Sequence, residues 1–209
     1  MTEASLQALS LLRQPERMQW YVIPFLAAVA YFYLNEAEQG NWSAVWLGIA
    51  TWAAELIWEM CNGLVLHFSN YAPLWSTPGP TAFLIYAGLN IEITLFFAVC
   101  ALLLIKLLPK DRTLKILGLS NRVFIPVAGG LVAVFAEVLL NRCGLLIWDW
   151  KFWGWPHLYL IVVAYCAPAL FLAWAHDHTP LRKQRNAAFY LLAAAAVCHL
   201  VFATLLGWV

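Results

Sequence analysis

Charge is what this chain has least of. Asp, Glu, Lys and Arg make up 11% of its 209 residues, against about a quarter in soluble domains, which excludes an ordinary soluble fold. A net charge of +1 and the lack of any long basic run exclude the footprint of a nucleic-acid binder. No nucleotide loop, nucleophile elbow, zinc motif or haem motif occurs, so neither metal nor cofactor is expected. The five cysteines (Cys61, Cys100, Cys143, Cys166, Cys198) fall in apolar segments without CxxC or Cys/His spacing. They read as small buried residues rather than a disulfide frame. Residues 1–18 are too polar and too mixed in charge for a signal peptide. They suit an interfacial or disordered segment, with a short helix over Ser5 to Leu12.

Apolar residues are what is present. They account for 64% of the chain, with a mean hydropathy of +0.75. Six stretches are long enough to cross a hydrocarbon core, which takes about 20 helical residues. They lie near 19–35, 42–66, 80–107, 123–147, 156–175 and 187–208. The reading is an all-α, polytopic, multi-pass membrane protein, one integral domain over 1–209 with about six transmembrane helices, in the cell membrane if the organism is bacterial. Lys106, Lys110, Arg112, Lys115 and Arg122 flank one connection, and Arg182, Lys183 and Arg185 lie in another. Both belong to the cytoplasmic face by the positive-inside rule, which puts both termini on the opposite side.

An internal repeat is expected. An offset of 82 residues lays Thr51–Pro73 over Ala133–Trp155 and matches Glu55 with Glu137 and Cys61 with Cys143. A small further shift aligns Tyr86 with Tyr165. The unit is a helix pair, spans two and three (about 42–107) repeated as four and five (about 123–175). An even number of crossings separates the copies, so the repeat is parallel.

Glu55, Glu59, Glu92 and Glu137 stand inside these apolar stretches. A carboxylate at the bilayer centre costs roughly 2.5–3.5 kcal/mol on insertion scales, and such residues usually face a protein interior or a wet cavity. Glu55 and Glu59, four apart, share one helix face with Asn62 nearby. Two carboxylates that close cannot both ionise cheaply, so a protonated acid beside an ionised one can work as a general acid/base pair. Glu137 with Asn141 and Arg142 forms the second copy's polar group. Glu92 and Asn90 lie two apart on the third span and point about 200° away from each other. Glu92 reads equally as a pocket acid or a packing hydrogen bond. Each carboxylate can also simply bond a neighbouring helix as a neutral acid.

Trp52 and Trp58 accompany the carboxylates, and aromatic faces stabilise cations. Trp75, Trp148, Trp150, Trp153 and Trp155 read as an interfacial aromatic belt. His176, Asp177 and His178 form an HDH triplet whose spacing can bind metal, although a solvated loop is the plainer reading.

AELIWEMCN at 54–62 and YAGLNIEITLFFAV at 86–99 resemble the paired-helix pattern of fungal integral-membrane terpene cyclases of meroterpenoid and indole-diterpene pathways. The matching residues are Trp58-Glu59 and Gly88-Leu89-Asn90-Ile91. GLLIWDW at 144–150, followed by Pro156, is similar to a segment of the small membrane carotenoid cyclases and hydratases. Those terpene cyclases have seven spans where six are counted here, and the Pro-x-Glu-Glu of lycopene cyclases is absent. The resemblance implies a cofactor-free cyclase in which Glu59 protonates a polyprenyl double bond or epoxide. Taken with the carboxylates above, the leading expectation is an isoprenoid-type cyclase, isomerase or hydratase with Glu59 as proton donor, Glu55 as its partner and Glu137 as the opposing base. Trp52, Trp58, Asn62, Tyr86, Asn90, Glu92 and Asn141 are then the expected pocket-lining residues for a hydrophobic, lipid-like substrate entering from the membrane. Two other classes suit the same residues: a small transporter or proton-coupled carrier, and a non-enzymatic assembly subunit.

Overall fold

Inside a membrane the main chain must satisfy its own hydrogen bonds, so long apolar runs become helices. The computed structural model describes residues 1–209 and places seven α-helices along the chain: α1 (Glu3–Leu11), α2 (Val22–Glu38), α3 (Trp42–Ser69), α4 (Ile91–Leu107), α5 (Asn121–Arg142), α6 (Leu158–His178) and α7 (Leu181–Cys198). A π-helical segment, His199–Leu205, continues α7. Two short hairpins interrupt the series. Strands β1 (Leu84–Tyr86) and β2 (Leu89–Asn90) precede α4, and β3 (Lys115–Ile116) and β4 (Leu119–Ser120) precede α5. In each, the residue closing the hairpin caps the helix that follows. Asn90 accepts from the Ile93 amide and Ser120 from the Arg122 amide.

Four helices are long and apolar enough to cross a membrane: α3, α5, α6, and α7 with its extension. Helices α2 and α4, at 17 residues each, lie at the short end of the spanning range. The expected third span, 80–107, is corrected. Gly79 and Pro80 break the helical pattern, residues 84–90 form the hairpin, and the helix starts only at Ile91. The fourth stretch likewise stops at Arg142 rather than 147. The last helix begins at Leu181, six residues before the expected 187.

Side-chain ties collect the helix ends into two faces. On one face Lys106 Nζ meets Glu36 at 2.6 Å, Arg122 meets Asp177 at 2.7 Å, Arg112 meets Asp177 at 3.3 Å, and Ser43 Oγ lies 2.8 Å from His176 Nδ1. On the other, α1 is pinned to the connections after α3 and α5. The Thr2 amide donates to Tyr71 O, and the Thr2 hydroxyl donates to Asp149. The first face carries Lys106, Lys110, Arg112, Lys115, Arg122, Arg182, Lys183 and Arg185, eight of the twelve basic residues, and is the one that the positive-inside rule assigns to the cytoplasm.

Helix α3 is the hub, with α4 and α7 laid against it, while α5 packs on α6. Gly130 permits that last approach. A Cβ there would stand 2.7 Å from Cys166 Sγ and 3.0 Å from its Cα, the small-residue device of membrane helix pairs. The HDH triplet is not a solvated loop. It forms the last turn of α6, where buried Asp177 joins two arginines and His178 Nδ1 lies 2.9 Å from Trp174 O.

Candidate intramembrane acid site

Glu55 and Glu59 project inward from the outer half of α3, and Glu137 does so from the last turns of α5. All three are buried. Glu59 follows Glu55 by one turn of α3, and the connections that bond Glu59 and Glu137 pair with each other. The structure thus gathers the three candidate catalytic carboxylates into one cluster.

Two non-helical connections roof it. The segment after α3 and the segment after α5 pair through one antiparallel bridge, in which the Ser76 amide donates to Ile147 O at 3.0 Å and the Ile147 amide donates to Ser76 O at 2.8 Å. Irregular backbone at this depth is tolerated because protein surrounds it. Each arm turns an indole down onto an acid. Trp75 Nε1 donates to Glu59 at 3.0 Å, and Trp148 Nε1 donates to Glu137 at 2.9 Å. An asparagine one turn along each helix holds its arm. Asn62 donates to Trp75 O at 2.9 Å and accepts from the Leu74 amide at 2.7 Å, while Asn141 donates to Leu146 O at 3.0 Å. By these contacts Glu59, rather than Glu55, is held in the manner of Glu137, whereas the offset of 82 aligns Glu55 with Glu137.

The β1–β2 turn closes the cluster from the side. A Cβ on Gly88 would fall 2.3 Å from Asn62 Nδ2, 2.8 Å from Glu59 Oε2 and 2.8 Å from Trp75 Nε1. Only glycine fits there. Tyr86 in the same hairpin is buried, with its hydroxyl 2.7 Å from His199 Nδ1, where the π-helical segment begins. Tyr165 on α6 lies beside Glu137.

The three acids are not equally satisfied. Glu59 holds Trp75 and Asn62, and Glu137 holds Trp148, but both Glu55 oxygens are buried and have no protein hydrogen-bond partner. Buried Ser76 Oγ, Thr77 Oγ1 and Trp153 Nε1 are equally unpartnered. Trp153 stacks on Trp75 at 5.6 Å, so that indole nitrogen belongs to the roof. Buried polar groups ordinarily find partners, and four of the residues that do not are Glu55 and three of the connections above the acids.

Other candidates lie elsewhere. Glu92 is corrected from a mid-span acid to the first turn of α4. There it accepts from the Ala82 amide at 2.8 Å, from the Thr81 hydroxyl at 2.6 Å and from the Tyr21 hydroxyl. It clips the 80–83 loop to a helix start, where a carboxylate is favoured. Asn90 is committed as the α4 cap. Trp52 donates to Thr94 at 2.9 Å. Trp58 is half exposed on the outer surface of α3, its ring tilted toward Trp75 at 6.3 Å. Trp75 and Trp148 leave the expected aromatic belt to bond the acids. Trp150, Trp153 and Trp155 share the connection of Trp148, so the sequence carries no signal for that inward turn. Glu36, read as part of a polar connection, was missed altogether, although it is nearly fully buried.

No group of three or more His, Cys, Asp or Glu side chains is arranged to hold a metal. The segments 54–62, 86–99 and 144–150 meet at this one site, through Glu59, Gly88 and Trp148.

Comparison with known proteins gives the same broad class. A family model described as an uncharacterized membrane protein family matches residues 2–204. An uncharacterized protein of Archaeoglobus fulgidus is 40% identical over 209 residues, covering 100% of this chain and 99% of its own length. No solved structure matches. The chain belongs to that membrane protein family, as a multi-pass integral membrane protein.

Proposed function

We propose that this protein is a membrane-embedded acid/base catalyst of the isoprenoid cyclase, isomerase or hydratase type, with α2 and α4 completing six spans around a repeated pair of acid-bearing helices. The observation that carries the reading is the unequal satisfaction of the three acids. Glu59 and Glu137 are anchored by indoles that fix their orientation, while Glu55 keeps both oxygens free of protein partners in a buried site. An ionised carboxylate so placed is uncompensated, whereas a neutral acid carries a proton ready to give.

In this reading Glu55 is the donor, in place of the Glu59 that the terpene-cyclase resemblance favours. Its carboxyl O–H protonates a substrate double bond and leaves a carbocation and a carboxylate. The cation then loses a proton to Glu59 or Glu137, or takes up water whose extra proton passes to the same carboxylates, and proton exchange among the clustered acids restores Glu55. Tyr86 and Tyr165 border the site, and the stacked Trp75 and Trp153 roof it. The convergence of the three resembling segments on this cluster supports an apolar, isoprenoid-like substrate.

The test is expression beside a polyprenyl supply with extraction of the lipids. Wild type should yield a product isomeric with, or one water heavier than, its precursor. Glu55→Gln and Glu137→Gln should lose it by at least about a hundredfold, the usual worth of a general acid or base. An unchanged lipid profile across several precursors, with Glu55-dependent proton flux in vesicles, would replace the enzyme by a proton-coupled carrier.

A further inference from the structure

Away from the acid site, α7 enters the structure at the cytoplasmic face with Leu181-Arg182-Lys183-Gln184-Arg185, and no Asp or Glu occurs from residue 178 to 209. Arg182 and Arg185 stand three apart, and so share a helix face. Neither takes part in an ion pair or a side-chain hydrogen bond, while Arg112 and Arg122 on the same side of the molecule converge on Asp177. Across from Arg182 and Arg185 lie Trp42 and Trp46 of α3, stacked at 6.1 Å, and Phe189 packs on Trp46 at 5.6 Å. Leu181, Arg182, Arg185, Trp42 and Trp46 line a groove of about 500 Å³. Its floor is apolar, and two neighbouring cations at its rim lack an acid. Like charges one turn apart repel, so the pair is stabilised by an anion.

We propose that this groove binds the headgroup of an anionic phospholipid from the cytoplasmic leaflet, with the phosphate between Arg182 and Arg185 and the upper acyl chain along Trp46 and Phe189. Charge complementarity and depth together favour a lipid. Guanidinium groups take phosphate oxygens in a bidentate fork, Trp at the first turn of a spanning helix marks the headgroup level, and the cytoplasmic leaflet carries the anionic lipid. A soluble anion would leave the aromatic half of the groove without a role.

Native mass spectrometry of the full chain in detergent, titrated with phosphatidylglycerol or phosphatidylcholine, reads the site directly. Wild type should retain one phosphatidylglycerol in preference to phosphatidylcholine. R182Q/R185Q should weaken that binding roughly thirtyfold, the effect expected of two interfacial cations, while R182K/R185K, which keeps the charges but loses the bidentate fork, falls between that variant and wild type, and K183Q, outside the groove, leaves it unchanged. Equal retention of the two lipids by wild type, or undiminished phosphatidylglycerol binding by R182Q/R185Q with the protein still folded, overturns the proposal. Displacement of the lipid by millimolar inorganic phosphate also overturns it, by reassigning the site to a soluble anion.

Discussion

The two ends of this helical bundle bury carboxylates in opposite ways. At the cytoplasmic end Glu36 meets Lys106, and Asp177 meets both Arg122 and Arg112, so every buried acid has a cation. At the outer end Glu59 and Glu137 receive only neutral N–H donors from tryptophan and asparagine, and Glu55 receives nothing. A cation fixes a carboxylate as an anion and makes it structural. Neutral donors orient the group without fixing its charge, which leaves a proton free to move. The same residue type thus serves as a rivet at one end and, in the proposed function, as a reagent at the other.

Substitutions can test that contrast, and the rivets should give the largest effects. Asp177→Asn strands the largely buried Arg122, while Arg112 is mostly exposed, and is expected to lower stability by about 3 kcal/mol, read as a fall in the thermal midpoint of the purified protein. If Asp177→Asn melts like wild type, the cytoplasmic pairing is not structural. Gly88→Ala forces a methyl against Asn62 and Glu59 and should cost about 1–3 kcal/mol, as overpacking does, while Gly118→Ala in the exposed second hairpin tests only the left-handed turn. Trp75→Phe keeps the ring but removes the donor to Glu59, and an unsatisfied buried acceptor is worth about 1–3 kcal/mol. Adding Glu59→Leu to Trp75→Phe should recover most of that loss. At the small end, Glu55→Leu removes a group that contributes no bond, so the melting temperature should hold or rise while any acid-dependent turnover disappears. A large loss of stability in Glu55→Leu would mean that this carboxylate has a structural partner after all.

Much of the fold was legible because transmembrane length and polar punctuation are strong signals. The helix expected at 42–66 runs from Trp42 to Ser69, and that at 156–175 from Leu158 to His178. The hairpin before α4 was not legible. Leu84, Tyr86 and Leu89 are as apolar as a spanning helix because they are buried against Glu59 and α3, and composition does not separate a buried strand from a helix. That error moved Asn90 and Glu92 from a helix start to mid-span. The pairing of acids was legible only in part. Glu55 and Glu137 stood out by depth, but which glutamate matches which depends on the indoles, and Trp75 and Trp148 carry no mark in the sequence that separates an inward ring from an interfacial one. Glu36 and Asp177 were hidden for the opposite reason. Each stands beside polar residues that read as loop, and burial came from partners far along the chain, Lys106 and Arg122.

The bridge between Ser76 and Ile147 makes the two roof segments one mechanical part. With two main-chain bonds and facing indoles, neither arm can lift from its acid without drawing on the other. Opening toward the outer face is therefore a concerted event that releases Glu59 and Glu137 together. The amide protons of Ser76 and Ile147 should report that opening with one shared protection factor against deuterium exchange.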